Sequence, residues 1–324
     1  MALDLTLRTR RRPGLIGVEK LTISYAFLTT LLLFIFFDRL ENPYYLLGQR
    51  LAVVLGTMLF WWVYNKKPCR LTLLLRQLLP LALLGFWYPD THNFSAQLPN
   101  IDHLFAQAEQ AIFGCQPALT FCRDFNNLFW CEAFNLGYYS YYMMIAFVPI
   151  YSFLYKYPRF EKTVFITICA FFLYYVLYLF IPVAGPQYYF QAIGVDQAWA
   201  GNFPAIGDWF RYHSELLPTT NHGGPFQWLV ESAQAGGERP TAAFPSSHVG
   251  MSTILLILAY KNSRKLFRFF VPFYVLLCAA TVYIQAHYVI DVIGGWISAF
   301  VFYKMSHWLY YRRMFHRPRG YRDF

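Results

Sequence analysis

The sequence is poor in charge. Only 14% of its 324 residues are Asp, Glu, Lys or Arg, while 57% are hydrophobic and 21% aromatic. That is too little charge for an ordinary soluble domain of this length, and it points to a membrane. Acidic residues are the scarcer sign, 17 against 27 basic, for a net charge of +10. Such a surplus suits nucleic acid when it forms one stripe. Here the basic residues fall in short clusters between long apolar runs, so no nucleic-acid partner is expected. Cysteine is also scarce: the six show no closely spaced Cys-x-x-Cys units and no combination with histidine at zinc-ligand spacing. No metal and no other cofactor is expected. Cys169 and Cys278 lie in apolar runs, as inert packing residues do. Cys115 and Cys122 share a segment placed outside the cytoplasm, where a disulfide persists if it forms, and their spacing leaves the bonded and free states both open. A cleavable signal is lacking too, because the apolar run after Met1 to Lys20 is long and no small-residue cleavage site follows it. The run is expected to stay as the first anchor.

What is present is a series of long apolar runs. A helix crossing the hydrocarbon needs roughly 20 mostly apolar residues. Eight runs qualify, at about 21–37, 47–64, 71–88, 129–155, 163–182, 246–260, 266–284 and 287–310. Runs this long exclude barrel strands, and only helices then satisfy the backbone within lipid. The expected fold is all-α: a polytopic transmembrane helical bundle of about eight spans, with two long extracytoplasmic loops at about 89–128 and 183–245. Residues 1–20 form a basic cytoplasmic N-terminus, 21–310 the bundle and 311–324 a basic cytoplasmic tail. In the first long loop, Ile101 to Phe113 has the pattern of a short helix lying at the interface.

Loop charge supplies the orientation, since Lys and Arg concentrate on the cytoplasmic side. With the N-terminus inside, the inner segments hold Arg8, Arg10, Arg11, Arg12 and Lys20; Lys66, Lys67 and Arg70; Lys156, Arg159 and Lys162; Lys261, Arg264, Lys265 and Arg268; and the tail from Lys304 to Arg322. The outer segments keep Arg39, Arg50, Arg123, Arg211 and Arg239. A miscounted span would break this alternation.

Two segments carry chemistry: Phe244-Pro245-Ser246-Ser247-His248-Val249-Gly250, opening the sixth run, and His287-Tyr288-Val289-Ile290-Asp291, opening the eighth. Both fall at the outer face. His287 and Asp291 are four apart on one helix face, within reach for the carboxylate to accept the imidazole proton. Ser246 and Ser247 stand at a helix N-terminus, where free N–H groups attract phosphate. Taken singly, Ser-Ser-His is a helix cap and His-x-x-x-Asp a structural pair. Asp291 inside a span is harder to dismiss, because ionisable groups at membrane depth are costly and line sites or pathways.

Pro245-Ser246-Ser247-His248, followed by Tyr283-x-x-x-His287-Tyr288-x-x-Asp291-Val292-Ile293-x-Gly295, resembles the second and third signature motifs of the type 2 phosphatidic acid phosphatase superfamily. The resemblance covers about residues 240–300. It implies a nucleophilic His287, supported by Asp291, and an acid, His248, that protonates the leaving oxygen. The superfamily's first motif, Lys-x6-Arg-Pro, is missing, and Glu238-Arg239-Pro240 adjoins the second motif instead. Where the third motif carries Ser-Arg, this chain has Ala280 and Thr281. That pattern is similar to the inositol phosphorylceramide synthase branch, and Ile181-Pro182-Val183-Ala184-Gly185-Pro186-Gln187-Tyr188-Tyr189 looks like that branch's proline-rich aromatic segment. Gln187, Tyr188 and Tyr189 are therefore candidate substrate-binding residues.

Further candidates come from the residues alone. Glu132, with Asn135, Tyr139 and Tyr142 at helical spacing, either lines a polyol or head-group pocket or marks the interface with an aromatic belt. Arg239 and Arg211 either replace the lost phosphate contacts or are solvated loop residues; Arg239 is carried as phosphate-binding with Ser246 and Ser247. His213 and His222 read as loop residues, His307 and His316 as inner-side ones, and Arg76 as snorkelling to the inner head groups.

The function expected is metal-independent chemistry on the phosphate of a membrane lipid through a phosphohistidine. With a lipid hydroxyl such as that of a ceramide as acceptor, the protein is a transferase of a phosphorylated head group, phosphoinositol by the branch resemblance. With water it is a lipid phosphatase. A lipid transporter is the remaining alternative, disfavoured because the charges cluster at one membrane face. Membrane lipids are the expected partners; the oligomeric state is not legible.

Overall fold

The computed structural model describes residues 4–9, 14–218 and 223–312. Arg10, Arg11, Arg12, His222, His316 and the tail beyond 312 lie outside the described residues. Fifteen α-helices account for most of the described chain, with no strand among the described residues. They are α1 (Gly17–Ile35), α2 (Pro43–Lys66), α3 (Arg70–Ala82), α4 (Leu84–Asp90), α5 (His92–Ser95), α6 (Asp102–Phe113), α7 (Pro117–Asp124), α8 (Leu128–Tyr155), α9 (Tyr157–Phe180), α10 (Pro186–Ile193), α11 (Val195–Trp199), α12 (Pro225–Gly237), α13 (Ser247–Asn262), α14 (Arg264–Tyr283) and α15 (Val289–Tyr311).

Six stretches are long and apolar enough to cross a membrane: Gly17–Ile35, Pro43–Lys66, Arg70–Ser95, Tyr157–Phe180, Arg264–Tyr283 and Val289–Tyr311. The other two expected spans form helices that are not among them. The sixteen residues of α13 extend roughly 24 Å, short of a bilayer core of about 30 Å. Helix α8 is long enough, but the tyrosines along it and Glu132 dilute its apolar character. The two long connecting segments, about 89–128 and 183–245, carry α5 to α7 and α10 to α12.

The chain divides into two compact units. One comprises Met1–Trp87, Pro149–Phe172 and Tyr303–Phe324; the other Tyr88–Val148 and Leu173–Phe302. In the first, Arg76 does not snorkel. Its side chain is buried and pairs with Glu19 on α1, Nε–Oε1 at 2.6 Å and Nη2–Oε2 at 2.5 Å. The backbone N–H of Ile16 also donates to Glu19, and the Tyr64 ring lies 4.8 Å from the guanidinium. The two charges thus pair bidentately, as a dry site favours, while Arg76 Nη1 has no hydrogen-bond partner among the described residues. Four basic segments of this unit converge: Thr9 N–H donates to the Pro68 carbonyl, Arg70 lies over Tyr157, and Lys162 contacts His307 and Tyr311.

In the second unit, α13 and α15 cross where side chains are absent. A Cβ on Gly295 would stand 2.7 Å from the Ser246 carbonyl oxygen, and one on Gly250 would run into the Tyr174 hydroxyl. Such glycines let helices approach backbone to backbone. The close crossing brings the second motif segment against the third, and Ser246 N–H donates to the Asp291 carbonyl at 3.0 Å. Around it, Val183, Tyr189, Phe190, Ala243 and Tyr288 form a buried apolar cluster with Ala106 of α6 and Leu119 of α7. The expected short helix forms as α6, and one face of it packs into this unit with Asp102 and Glu109 buried. Cys115 and Cys122 are not joined in a disulfide.

Candidate active site

His248 sits in the first turn of α13. Ser246 caps that helix, its Oγ accepting from Val249 N–H at 3.3 Å. The His248 ring is held between Tyr138, stacked at 4.5 Å, and Tyr141, tilted at 4.4 Å. This sandwich fixes the ring plane and excludes water from both faces. His287 stands in the turn between α14 and α15, its N–H donating to the Thr281 carbonyl. Its Nδ1 lies 2.9 Å from the Ala243 carbonyl oxygen, and its Nε2 lies 3.3 Å from His248 Nδ1.

These contacts assign the tautomer. A carbonyl only accepts, so the proton of His287 is on Nδ1, and Nε2 keeps its lone pair toward His248. Burial pushes the His287 ring down to about 4, outweighing the Ala243 hydrogen bond and the charge of Glu238. The ring is neutral at pH 7, and its Nε2 lone pair faces the Nδ1 of His248.

The Asp291 contact differs from the expected one. Its Oδ2 is 3.6 Å from His287 Nδ1, beyond a hydrogen bond, and accepts from Tyr288 N–H at 2.8 Å. Asp291 thus braces the turn carrying His287, while Ala243 takes the ring proton. The reason is local: the fully buried carboxylate finds a backbone donor within its own helix start.

Two carboxylates that the motifs do not include lie on α6; Glu109 braces the same turn, and Asp102 the segment between α9 and α10. Glu109 Oε1 accepts from Val289 N–H at 2.5 Å and Ile290 N–H at 3.2 Å, capping α15. Burial chiefly, and the Asp291 charge, push Glu109 up to about 7. Asp102 accepts from Ala184 and Gly185 N–H at 2.7 and 2.8 Å, and burial raises it. Their seven-residue spacing on one face of α6 was a usable sign, but an amphipathic helix does not say which face it buries.

The other candidates separate. Ser246 and Ser247 are buried; Ser246 serves as the cap, and Ser247 is adjacent to Tyr141 and Tyr178. Gln187 reaches the site: its Nε2 donates to Glu238 Oε1 at 2.9 Å, and its N–H to the Gln285 carbonyl at 2.8 Å. Glu238, which the motif reading passed over, is raised by burial, with hydrogen bonds from Gln187 and Gln234 opposing. Tyr188 packs edge-on against Phe210, and Tyr189 is buried and donates to the Pro204 carbonyl, so both serve the core. Glu132 caps α12, accepting from Phe226 and Gln227 N–H at 2.8 and 3.0 Å. Asn135 is buried one turn along and donates to the Cys131 carbonyl. Arg239 is exposed and donates to the Glu238 carbonyl. Arg211 and His213 lie in and beside a short 3-10 turn, with His213 stacked on Trp209. Among the described residues, no three His, Cys, Asp or Glu side chains come together as a metal-ligand set.

The family model described as PAP2 superfamily matches residues 104–305. The chain belongs to the PAP2 superfamily. The match takes in both histidines, Asp291 and the α6 carboxylate Glu109. PAP2 proteins are generally phosphatases or phosphotransferases, and the six apolar helices suit a PAP2 protein acting on lipids in a membrane. No curated protein and no solved structure matches the chain.

Proposed function

We propose that this PAP2 protein is an integral membrane transferase that moves a phosphorylated head group from a phospholipid to a lipid alcohol such as a ceramide, without a metal. His287 Nε2 attacks phosphorus, forming a P–N bond as the P–O bond to the departing diacylglycerol breaks. Burial, with His287 beside it, lowers the His248 ring, so His248 takes up its proton only as the negative charge of the phosphodiester seats against it, and then gives that proton to the leaving oxygen. The acceptor hydroxyl then returns a proton to His248, its oxygen forms the new P–O bond, and the P–N bond breaks. Ser246, Ser247 and the helix start bind the phosphate, and Gln187 the head group. The site faces the periplasm or lumen, with both termini cytoplasmic, as the basic segments imply.

The observation that carries the choice of transfer is the charge around His287. Thr281 stands where the superfamily has arginine, its hydroxyl donating to the Cys278 carbonyl, and the side chain acting on the ring is the carboxylate Glu238. A phosphomonoester carries nearly two negative charges and a diester one, so a site with a carboxylate and few cations suits the diester. The likeness to the inositol phosphorylceramide synthase branch points the same way. Hydrolysis of a monoester lipid is the second reading, favoured by Arg239, which adjoins Glu238 and whose charge reaches Tyr188.

Side-by-side assays of the purified protein test the choice. Exchange of a labelled head group from a phospholipid to a ceramide, with slow phosphate release from phosphatidic acid, is the expected result. Rapid phosphate release with no exchange makes the protein a phosphatase.

A further inference from the structure

His248 lacks the counter-charge that ordinarily steadies an imidazolium. Among the described residues no carboxylate contacts its ring, and its Nδ1 faces a second imidazole, His287, at 3.3 Å. The residue is only 8% exposed, and a cation taken out of water costs free energy unless other groups replace its hydration. Yet His248 has to carry a proton for part of each turnover.

The groups that do meet the ring are aromatic. Tyr138 stacks on it with centroids 4.5 Å apart and planes 27° apart, and Tyr141 is tilted by 44° at 4.4 Å. The two tyrosines are three positions apart on α8, so one helix face presents both. The face of such a ring carries the negative part of its quadrupole. A cation within about 6 Å of the centroid is attracted to it, most strongly where water is excluded. A neutral imidazole gains the packing without that attraction, so the contact favours the charged form of His248 over the neutral one. Both rings are held in place beforehand: Ser247 hydrogen-bonds the Tyr141 hydroxyl, and Tyr138 packs among Phe134, Val230, Ala280 and Tyr283. No reorganisation is then needed when the charge appears.

We propose that Tyr138 and Tyr141 are positioning residues whose ring faces stabilise His248 as an imidazolium while it holds the proton for the leaving oxygen. The rings form and break no bond. The proposal rests on the acid role given to His248 above and applies whether the acceptor is an alcohol or water. The titratable groups around His248 are Tyr138 and Tyr141 from α8, His287 from the turn after α14, and Glu238 from the segment before α13, whose charge reaches His287 and Tyr138. His287 has to be neutral, which sets an acid limb of the rate, and His248 has to be charged, which sets an alkaline one.

Removing a ring would open a cavity in the cluster, so the test varies the charge on its face. Purified full-length protein in detergent is assayed with phosphatidylinositol and ceramide, or with phosphatidic acid if the assays above give hydrolysis. Each is compared with the matching nitrophenyl ester, whose leaving group needs no proton. Tyr138→Phe keeps the ring face and is expected to stay within about threefold of wild type. Phenylalanines of increasing fluorination at position 138 keep the shape and withdraw the negative face. They are expected to slow the lipid reaction stepwise, by roughly tenfold for the fully fluorinated ring, and to leave the nitrophenyl ester within about threefold. The alkaline limb of the lipid reaction is expected to move down by about one pH unit, the equivalent of that tenfold loss. Equal rates across the fluorinated series, or equal slowing of both substrates, overturns the proposal, and loss of lipid turnover in His248→Ala then leaves the acid role standing. Wild-type lipid turnover in His248→Ala overturns the acid role and the proposal with it.

Discussion

The Nδ1 of His248 lies 3.3 Å from the Nε2 of His287, with the far nitrogen of His287 tied to the Ala243 carbonyl at 2.9 Å. One ring presents a lone pair and the other a proton across this contact. His287→Ala is expected to bring turnover below detection with the helical content unchanged. His248→Ala should cost roughly 10²–10⁴-fold with an ordinary lipid and much less with a nitrophenyl leaving group that needs no proton. Wild-type rates in both variants would rule out the assigned roles.

Glu109 gives a pH signature. Its folded value, about 7 against the ordinary 4.5, is raised, so its contribution to stability is complete below about pH 4.5 and is lost as pH rises through about 7. Glu109→Gln keeps an oxygen for Val289 and Ile290 N–H and cannot ionise. The melting temperature of this variant relative to wild type is expected to rise between pH 5 and pH 8. A difference that does not change with pH would remove Glu109 ionisation from the account.

Arg76 and Glu19 form a bidentate pair with the Arg76 side chain fully buried. Removing one partner leaves a lone buried charge, at a cost of roughly 3–5 kcal/mol. Arg76→Met and Glu19→Leu should each destabilise strongly, and the double variant less than either. Additive losses in thermal unfolding would show that the two side chains do not act on each other.

The orientation is open to labelling. Arg239 is exposed beside Glu238, so Arg239→Cys in an otherwise cysteine-free chain should react with a membrane-impermeant maleimide in intact cells. Reaction only after the membrane is opened would place the site on the cytoplasmic side.

Apolar run length by itself determined the helical class and six of the eight expected membrane helices, because a backbone in lipid has few alternatives to a helix; α8 and α13 form as helices but are not long and apolar enough to count among them. The motif residues His248, His287 and Asp291 were legible because their types and spacing are rare within apolar runs. The partners around those residues were not. The ring proton of His287 goes to the carbonyl of Ala243, and a carbonyl belongs to every residue, so no side-chain pattern announces it. Glu109 lies 180 residues before the Val289 N–H it caps, and only the packing of α6 brings them together. Arg76 looked like a snorkelling residue because its partner, Glu19, is 57 positions away. Glu132 was read as lining a head-group pocket or marking the interface, yet the tertiary structure places it at the start of α12, where it accepts from Phe226 and Gln227 N–H. Local sequence determines which groups a segment offers; which of them meet depends on long-range packing, where a buried polar group takes whatever partner the fold delivers.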